Sequence, residues 1–279
     1  MHSSPSKTIK VAILDMYEGA TNQGMRCIKE LLNQYADVEQ LNIDYNTYDV
    51  RLKEELPNLT YDLYISTGGP GSPIDSTNTS WENKFNKFIA TIINHNLTND
   101  SKKHLLFICH SFQLACKYFG VGELSKRKST SFGVFPIHVM PSGKMEQVFT
   151  GLHNPFYTVD SRDYQVINPN HEKIANLGGT ILAIEKDRPH VPLPRAIMGM
   201  RFNEYMIGTQ FHPEADAVGM SMYLQTEEKK KTVIENFGEA KWASMIEQLN
   251  DPEKIMFTYN HIIPNFLNLA LGVDVAVVA

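Results

Sequence analysis

Residues 105–117, Leu-Leu-Phe-Ile-Cys-His-Ser-Phe-Gln-Leu-Ala-Cys-Lys, determine how the rest of the chain is interpreted. The first four residues are apolar and predict a buried strand, and residues 110–119 have the apolar spacing of a helix. A nucleophile at a sharp turn between a strand and a helix projects out of the sheet, and the positive end of the helix dipole favours a thiolate there. Cys109 is therefore a candidate nucleophile, with a buried core cysteine as the alternative interpretation.

A second stretch, Thr209–Glu214, reads Thr-Gln-Phe-His-Pro-Glu and follows another predicted strand. A cysteine nucleophile needs a base to hold its proton and a third group to orient that base. His212 is the candidate base for Cys109, and Glu214 is the candidate for fixing the imidazole tautomer. The two stretches together predict a thiol hydrolase or an acyltransferase.

The oxyanion of such a reaction needs backbone N–H donors that are already in place. Residues 67–73 read Thr-Gly-Gly-Pro-Gly-Ser-Pro, a loop with no room for regular structure. Glycine permits a close approach of the backbone, so Gly68 and Gly69 are candidates for contacting the reacting group. The amide of His110, directly after the nucleophile, is the other candidate donor.

Composition excludes several classes of protein. The 279 residues are 42% hydrophobic, which is enough for one large domain, and the net charge of −5 does not favour a nucleic-acid partner. The three cysteines have no framework spacing and no His/Cys cluster has zinc spacing, so we expect a reducing cytoplasm and neither a metal nor an organic cofactor. Because Met1–Lys7 lacks an apolar signal core and no run is long enough to cross a bilayer, we expect no membrane partner.

The order of predicted elements is a βαβ series followed by closely spaced strands, which predicts a mainly parallel sheet with antiparallel additions. The helix after the glycine loop is expected to begin with a capping box formed by Thr79 and Glu82. The last part of the chain is predicted to be helical, with a kink or break at Pro264. The predicted strands cover residues 9–14, 38–43, 61–66, 105–108, 133–140, 179–184, 195–202 and 205–210, and the predicted helices cover residues 23–35, about 80–93, 110–119, 215–250 and a segment opened by Asp251-Pro252.

With these motifs in this order, the chain resembles class I (triad-type) glutamine amidotransferase domains, the kind found in GMP synthetase and anthranilate synthase, from about residue 9 to residue 216. Residues 66–72 are similar to the oxyanion loop of that family, and residues 210–214 are similar to its His/Glu segment. The spacing Cys109-x-x-x-Gln113 is similar to its nucleophile motif. The resemblance implies a three-layer, flavodoxin-like α/β fold, here as a single domain over residues 1–279 with a helical extension from about 215 to 279.

The resemblance also implies roles for two further residues. Gln113 would help to bind substrate glutamine, and Ser161 would lie on a strand that holds the glutamine backbone. Between residues 161 and 166 only Ser161 and Val166 agree with that strand of the family. The implied reaction is hydrolysis of glutamine, or of a γ-glutamyl amide, through a thioester on Cys109.

The nucleophile turn departs from the family pattern G-x-C-x-G, because Phe107 and Ser111 stand in place of the two glycines. Ser111 is small enough to serve, whereas Phe107 is expected to crowd the turn or to reshape the pocket. Homoserine O-acyltransferases share the fold and a Cys-His-Glu triad, and their nucleophile stretch resembles residues 106–109. An enzyme of that kind, using an acyl-CoA, is the first alternative, and a binding protein with a vestigial triad is the second.

Ammonia released at Cys109 needs a destination. Roughly sixty residues follow Glu214, too few for a synthetase domain, so the acceptor enzyme would be a separate chain or the protein would only hydrolyse its substrate. The segment 215–250 is interpreted as an ordinary surface helix, and a helix that covers the mouth of the site or packs against a partner is the alternative. The basic runs at residues 126–128 and 229–231 are interpreted as solvated surface, and Arg162 and Asp163 as a pocket-shaping or surface pair.

Overall fold

The computed structural model describes residues 8–249, 251 and 254–273, and within these residues the chain forms a mixed sheet with helices on both faces. The strands are β1 Thr8–Asp15, β2 Asn42–Asp49, β3 Leu63–Ser66, β4 His104–Ile108, β5 Glu123–Val139, β6 Phe156–Ile167, β7 Thr180–Glu185, β8 Ile197–Asn203 and β9 Met206–Thr209. The helices are α1 Gln23–Glu39, α2 Ser80–Thr98, α3 His110–Phe119, α4 His171–Asn176, α5 Ala217–Leu224, α6 Glu227–Phe237, α7 Glu239–Leu249, α8 Ile255–Tyr259 and α9 Ile262–Leu271.

The sheet has the order β2-β1-β3-β4-β9-β8-β7-β5-β6 in the described part of the chain. The five neighbouring strands β2, β1, β3, β4 and β9 are parallel to one another. On the β9 side, β8, β7, β5 and β6 extend the sheet through antiparallel pairs. The inner parallel strands are almost wholly apolar and buried, as strands covered on both faces must be. The predicted flavodoxin-like α/β fold, mainly parallel with antiparallel additions, is confirmed.

Two apolar cores lie on opposite faces of the sheet. Helices α1 and α9 cover one face, and α2 and α3 cover the other. A third, smaller core joins the β5–β6 hairpin to α5 and to the helices after it, through residues such as Phe132, Leu224, Val233 and Met245. The C-terminal helices therefore pack over the antiparallel end of the sheet.

The second predicted strand was wrong in position. Residues 38–43 were expected to form it, but α1 continues to Glu39 and ends at Gln40, whose φ of 52° lies in the left-handed region. The apolar face of α1, which includes Leu32 and Tyr35, is buried against the sheet, and this packing extends the helix through the β-prone Val38. Strand β2 covers Asn42–Asp49 and therefore overlaps the predicted strand only at residues 42 and 43.

The predicted capping box at the start of α2 was also wrong. Thr79 is the N-cap residue, but its hydroxyl donates to the Ser76 carbonyl at 2.7 Å rather than accepting from the helix. Glu82 is 3% exposed and pairs with Lys117 at 2.7 Å. The carboxylate therefore ties α2 to α3 instead of capping α2.

Four further predictions are corrected from β5 onward. Strand β6 was missed outside residues 161–166. In the basic run at 126–128, which lies within β5, Lys126 and Lys128 are exposed as expected, but Arg127 pairs with Glu185 at 3.1 Å. The predicted helix 215–250 is three helices. The break expected at Pro264 lies instead between the end of α8 at Tyr259 and the start of α9 at Ile262. Pro264 is in the first turn of α9, where a missing N–H breaks no helical hydrogen bond.

Predictions that concern Met1–Lys7, Pro252 and residues 274–279 lie outside the described residues. Within residues 8–249, 251 and 254–273, none of the helices combines the length and the apolarity that a membrane crossing needs.

Candidate active site

Cys109 occupies the junction between β4 and α3. Its φ of 49° and ψ of −98° are a strained combination for a residue with a side chain. The strain is held by the backbone, since the Cys109 amide donates to the Thr209 carbonyl at 2.8 Å and the Gln113 amide donates to the Cys109 carbonyl at 3.0 Å. The turn presents the sulfur to a cleft at the carboxyl ends of the parallel strands.

The two residues that replace the elbow glycines have clear roles in the structure. The Ser111 hydroxyl donates to the Ser66 carbonyl at 2.8 Å and accepts from the Ile108 amide at 2.9 Å, so it ties α3 to the ends of two strands. Phe107 is fully buried and packs against Phe202, with ring centroids 5.7 Å apart. The expectation that Phe107 crowds the turn or reshapes the pocket is wrong, because its ring points into the core on the other face of the sheet.

His212 and Glu214 follow β9 and meet Cys109 in the cleft. The Nδ1 atom of His212 lies 2.8 Å from Oε1 of Glu214, which is 1% exposed, and His212 and Cys109 line the same cleft. The His212 amide donates to the Val159 carbonyl at 2.9 Å, which fixes this segment against β6. Burial lowers the pKa of His212, but the negative charges of Cys109 and Glu214 raise it well above its ordinary value.

The loop glycines lie against this group of side chains. A Cβ atom at Gly68 would lie 2.8 Å from Cε1 of His212 and 3.4 Å from Cβ of Cys109. A Cβ atom at Gly69 would collide with the Met16 carbonyl. The loop approaches the thiol this closely only because both positions lack a side chain.

Replacing Gly68 with alanine is expected to lower kcat/KM for amide hydrolysis by about 100-fold, because the new methyl group displaces the His212 ring from the thiol. Steady-state release of ammonia or amine measures the effect. Thermal unfolding of the same sample controls for a general loss of structure. An alanine variant that is folded and fully active would contradict the placement of this loop on the imidazole.

Two cations hold the glycine loop in place. Arg51 donates to the Pro70 carbonyl at 2.6 Å, and its guanidinium is half-buried. Lys117 donates to the Pro73 carbonyl at 2.7 Å while it pairs with Glu82. The middle and the C-terminal end of the loop are therefore fixed by side chains from outside it. Neither cation was singled out from the sequence, which carries no local signal for these contacts.

Gln113 and Ser161 lie next to the nucleophile in different ways. The Gln113 side chain donates to the Gln210 side chain at 3.0 Å and to the Tyr164 carbonyl at 3.1 Å. Gln210 in turn places its Nε2 atom 3.8 Å from the Cys109 sulfur. Ser161 is exposed to the cleft, and its carbonyl oxygen is 3.7 Å from the same sulfur. Gln210 was quoted only as part of a motif, and its place beside the sulfur was missed.

The side chain of His110 is 2% exposed and lies in the wall of the cleft rather than in solvent. Burial, with the nearby charges of Arg51 and Lys117, lowers its pKa to about 3, so the ring is neutral. Its Nε2 atom has no hydrogen-bond partner among the described residues. His110 also lines the cleft, so its backbone amide lies directly beside the nucleophile.

Arg162 and Asp163 do not pair with each other. Arg162 is 5% exposed and pairs with Asp160 at 2.9 Å and Glu185 at 3.3 Å on the inner side of the hairpin. Asp163 is exposed and accepts a hydrogen bond from Thr130 at 2.5 Å. The two neighbours face opposite sides because β6 alternates its side chains.

The cleft encloses about 1140 Å³ and extends well beyond the thiol. One wall is formed by α1 and the glycine loop, and the opposite wall is formed by the β5–β6 hairpin with α5 and α6. Arg26 of α1 pairs with Asp216, the N-cap of α5, at 2.7 Å and joins the two walls. Residues 217–237 therefore form part of the site, and the described residues contain no His/Cys/Asp/Glu cluster that would hold a metal ion.

Comparison with known proteins places this geometry in context. The family model for glutamine amidotransferase class-I matches residues 12–227. The fold is similar to a glutamine amidotransferase from Thermotoga maritima, with a TM-score of 0.66 and 15% identity over 94% of this chain and 98% of that one. It is also similar to a putative GMP synthase subunit from Thermoplasma acidophilum, with a TM-score of 0.56 and 16% identity over 95% and 94% of the two chains.

A third similar structure is the glutaminase domain of Trypanosoma brucei CTPS with bound acivicin, with a TM-score of 0.59 and 12% identity over 96% of each chain. No curated protein matches the chain by sequence. At these identities the solved structures support the fold, and the family match supports membership.

Proposed function

The chain belongs to the glutamine amidotransferase class-I family, and from this membership we propose that it hydrolyses the side-chain amide of glutamine, or a γ-glutamyl amide, through a thioester on Cys109. The observation that carries the proposal is the contact of Cys109, His212 and Glu214 at one end of an open cleft. A nucleophile, a base and an orienting carboxylate in hydrogen-bond contact are the groups that acyl transfer requires.

The first half of the proposed reaction forms the thioester. The Cys109 thiolate attacks the amide carbon, and the carbonyl electrons move to the oxygen, which accepts hydrogen bonds from backbone amides of the Gly68–Gly69 loop and of His110. His212 carries the proton as imidazolium and gives it to the nitrogen as the carbon–nitrogen bond breaks. Ammonia or an amine leaves, and the glutamyl group remains on the sulfur.

The second half reverses these roles with water. Neutral His212 takes a proton from water as its oxygen attacks the thioester carbon, and the carbon–sulfur bond breaks to regenerate the thiolate. Free glutamate is the product, and the proton remains on His212. Glu214 keeps the Nδ1 atom of His212 occupied, so the other ring nitrogen is the one that exchanges the proton with sulfur and substrate.

We place the glutamyl group against Gln113 and Ser161, which flank the thiol. Ser161 lies in the wall of the cleft, and Gln113 is braced by Gln210 and the Tyr164 carbonyl, so the position of its amide is fixed before substrate arrives. We also propose that residues 215–273 belong to the same domain as the family core, since α5 and α6 complete the cleft. A cytoplasmic enzyme that stands alone, or that passes ammonia to a separate synthetase chain, fits this arrangement, and it calls for no cofactor.

The test is intact-protein and peptide mass spectrometry after incubation with a glutamine-mimicking diazo-ketone. We expect one adduct, on Cys109, and none on a Cys109→Ala variant. A second sample incubated with short acyl-CoA thioesters tests the acyltransferase alternative, for which acylation of Cys109 would be the positive result. If neither reagent marks Cys109, the proposed chemistry is wrong and the binding-protein alternative takes its place.

A further inference from the structure

Lys229 occupies an unusual position in the wall of the cleft. It lies in the first turn of α6, and its Nζ atom is 4.4 Å from the ring centroid of Phe132 and 5.0 Å from that of Tyr223. Its side chain was expected to be solvated surface, but the residue is half-buried and lines the cleft. It lies two residues beyond the segment that the family model matches.

This ammonium group has no carboxylate partner among the described residues. The other Lys or Arg residue of the cleft lining, Arg162, is neutralised by Asp160 and Glu185. The aromatic rings hold the Lys229 cation in the cleft without cancelling its charge. Glu227 and Glu228 stand in the first turn of α6 and offset the helix dipole, but neither lines the cleft, so the Lys229 ammonium is the positive charge that an anion would meet there.

Lys229 lines the same cleft as the nucleophile, and Ser161 and Phe132 lie between them. The Cys109 sulfur is 3.7 Å from the Ser161 carbonyl, and Ser161 is the cross-strand neighbour of Phe132 in the β5–β6 hairpin. Directly opposed side chains in antiparallel strands lie on the same face, roughly 5 Å apart. The Phe132 ring, with Lys229 above it, is therefore the next surface along the cleft after Ser161.

The surface around Lys229 also adjoins the side of the cleft where the proposed reaction puts its leaving group. The departing amine takes its proton from His212, so its substituent lies on the His212 side of the thioester. On that side the lining of the cleft continues through residues 214–216 into α5, whose Tyr223 faces Phe132 with ring centroids 6.1 Å apart. Moreover, pockets for drug-sized ligands enclose roughly 300–1,000 Å³. A cleft of about 1140 Å³ thus has room for more than glutamine.

We infer that the preferred substrate is a γ-glutamyl amide whose amine portion carries an anionic group, with a γ-glutamyl amino acid as the simplest case, and that Lys229 binds this anion between Phe132 and Tyr223. The inference rests on the proposed function. As in the hydrolysis proposed above, the thiolate of Cys109 attacks the γ-carbonyl carbon and the carbon–nitrogen bond breaks. An amino acid then leaves in place of ammonia. Lys229 acts as a specificity-determining residue and touches no reacting atom.

The test compares γ-glutamylglycine with γ-glutamylglycinamide, which has nearly the same size and lacks the carboxylate, and with glutamine. For the wild-type protein we expect kcat/KM to be about tenfold higher for γ-glutamylglycine than for γ-glutamylglycinamide. Lys229→Met should reduce this ratio to about one, chiefly through KM. Lys230→Met is the matched control, since Lys230 lies on the same helix over the Trp242 ring and outside the cleft lining, and it should keep the wild-type ratio.

A binding measurement separates failure of this inference from failure of the proposed function. Calorimetric titration of Cys109→Ala with the two dipeptides needs no turnover and should show the same preference, which Cys109→Ala/Lys229→Met should lose. A ratio near one in the wild type, a ratio unchanged by Lys229→Met, or glutamine as the best substrate would overturn the inference and leave the hydrolysis intact. Selective binding without any turnover would overturn the proposed reaction alone.

Discussion

Replacing Cys109 with serine is expected to lower kcat/KM for amide hydrolysis by about 10⁴-fold or more, with little change in thermal stability. In the proposed reaction the thiolate that His212 stabilises is the attacking group, and a serine hydroxyl does not ionise in the neutral range. Release of ammonia or amine measures the loss, and thermal unfolding confirms that the variant is folded. A serine variant with near wild-type turnover would remove Cys109 from the reaction.

The same variant should change the titration of His212. The charges of Cys109 and Glu214 hold the pKa of His212 well above its ordinary value despite burial, so the imidazolium persists through neutral pH. Wild-type activity should then decline on the alkaline side, where His212 loses the proton that the leaving amine needs. In Cys109→Ser the pKa of His212 should fall, as NMR of its ring protons would show, and an identical titration in both proteins would contradict the ion pair.

Cys116 provides the matched control for the thiol. It lies two helical turns further along α3, is fully buried, and packs in the core on the other face of the sheet. Cys116→Ala should keep turnover while losing about 1 kcal/mol of stability. Loss of turnover with this variant as well would mean that the Cys109 result reflects damage to α3.

Replacing Phe107 with glycine is expected to lower the free energy of unfolding by about 3–5 kcal/mol, although glycine is the usual residue at this position of the family elbow. The ring is fully buried between Phe85 and Phe202, with centroids 6.3 and 5.7 Å away, so its removal would leave a cavity in the core. Gly208 is the residue of β9 that pairs with Phe107, and a Cβ atom there would lie 3.2 Å from the Phe107 Cβ. In this chain the large residue is therefore on β4 and the glycine is on the neighbouring strand β9. Urea unfolding measures the loss.

The catalytic readout of the Phe107 variants is the informative control. Phe107→Leu keeps most of the apolar volume and should cost less than the glycine variant. Both should keep kcat/KM within a few-fold of the wild type at low temperature, because Phe107 does not line the cleft. A large drop in kcat/KM in a stable leucine variant would show that the residue shapes the pocket after all.

The error about Phe107 has a physical cause that the sequence alone does not reveal. Strict alternation along β4 would place Phe107 and Cys109 on the same face of the sheet, and the ring would then crowd the pocket. The positive φ of Cys109 breaks the alternation at the last residue. Cys109 therefore joins Leu106 and Ile108 on one face, while Leu105 and Phe107 pack on the other.

Local patterns were sufficient where strand, turn and helix follow one another directly. The predicted strand 105–108 and helix 110–119 are confirmed by β4 and α3, because the apolar run and the helical spacing are contained in those residues. The predicted position of β2 was wrong because α1 continues to Glu39. Packing of Tyr35 against the sheet extends this helix, and such packing is a long-range effect that local sequence does not show. The roles of Cys109, His212 and Glu214 stay predictions, although the fold brings all three together.

The sheet order has a consequence for how the chain folds. Strand β9 is the last strand along the described chain, yet it lies in the middle of the sheet and pairs with β4. Until residues 206–209 arrive, β4 has one unpaired edge, and closing that long loop costs entropy before any pairing is gained. A nascent or truncated chain that ends before β9 would therefore expose an apolar strand edge to aggregation, and the nucleophile would be present before its base.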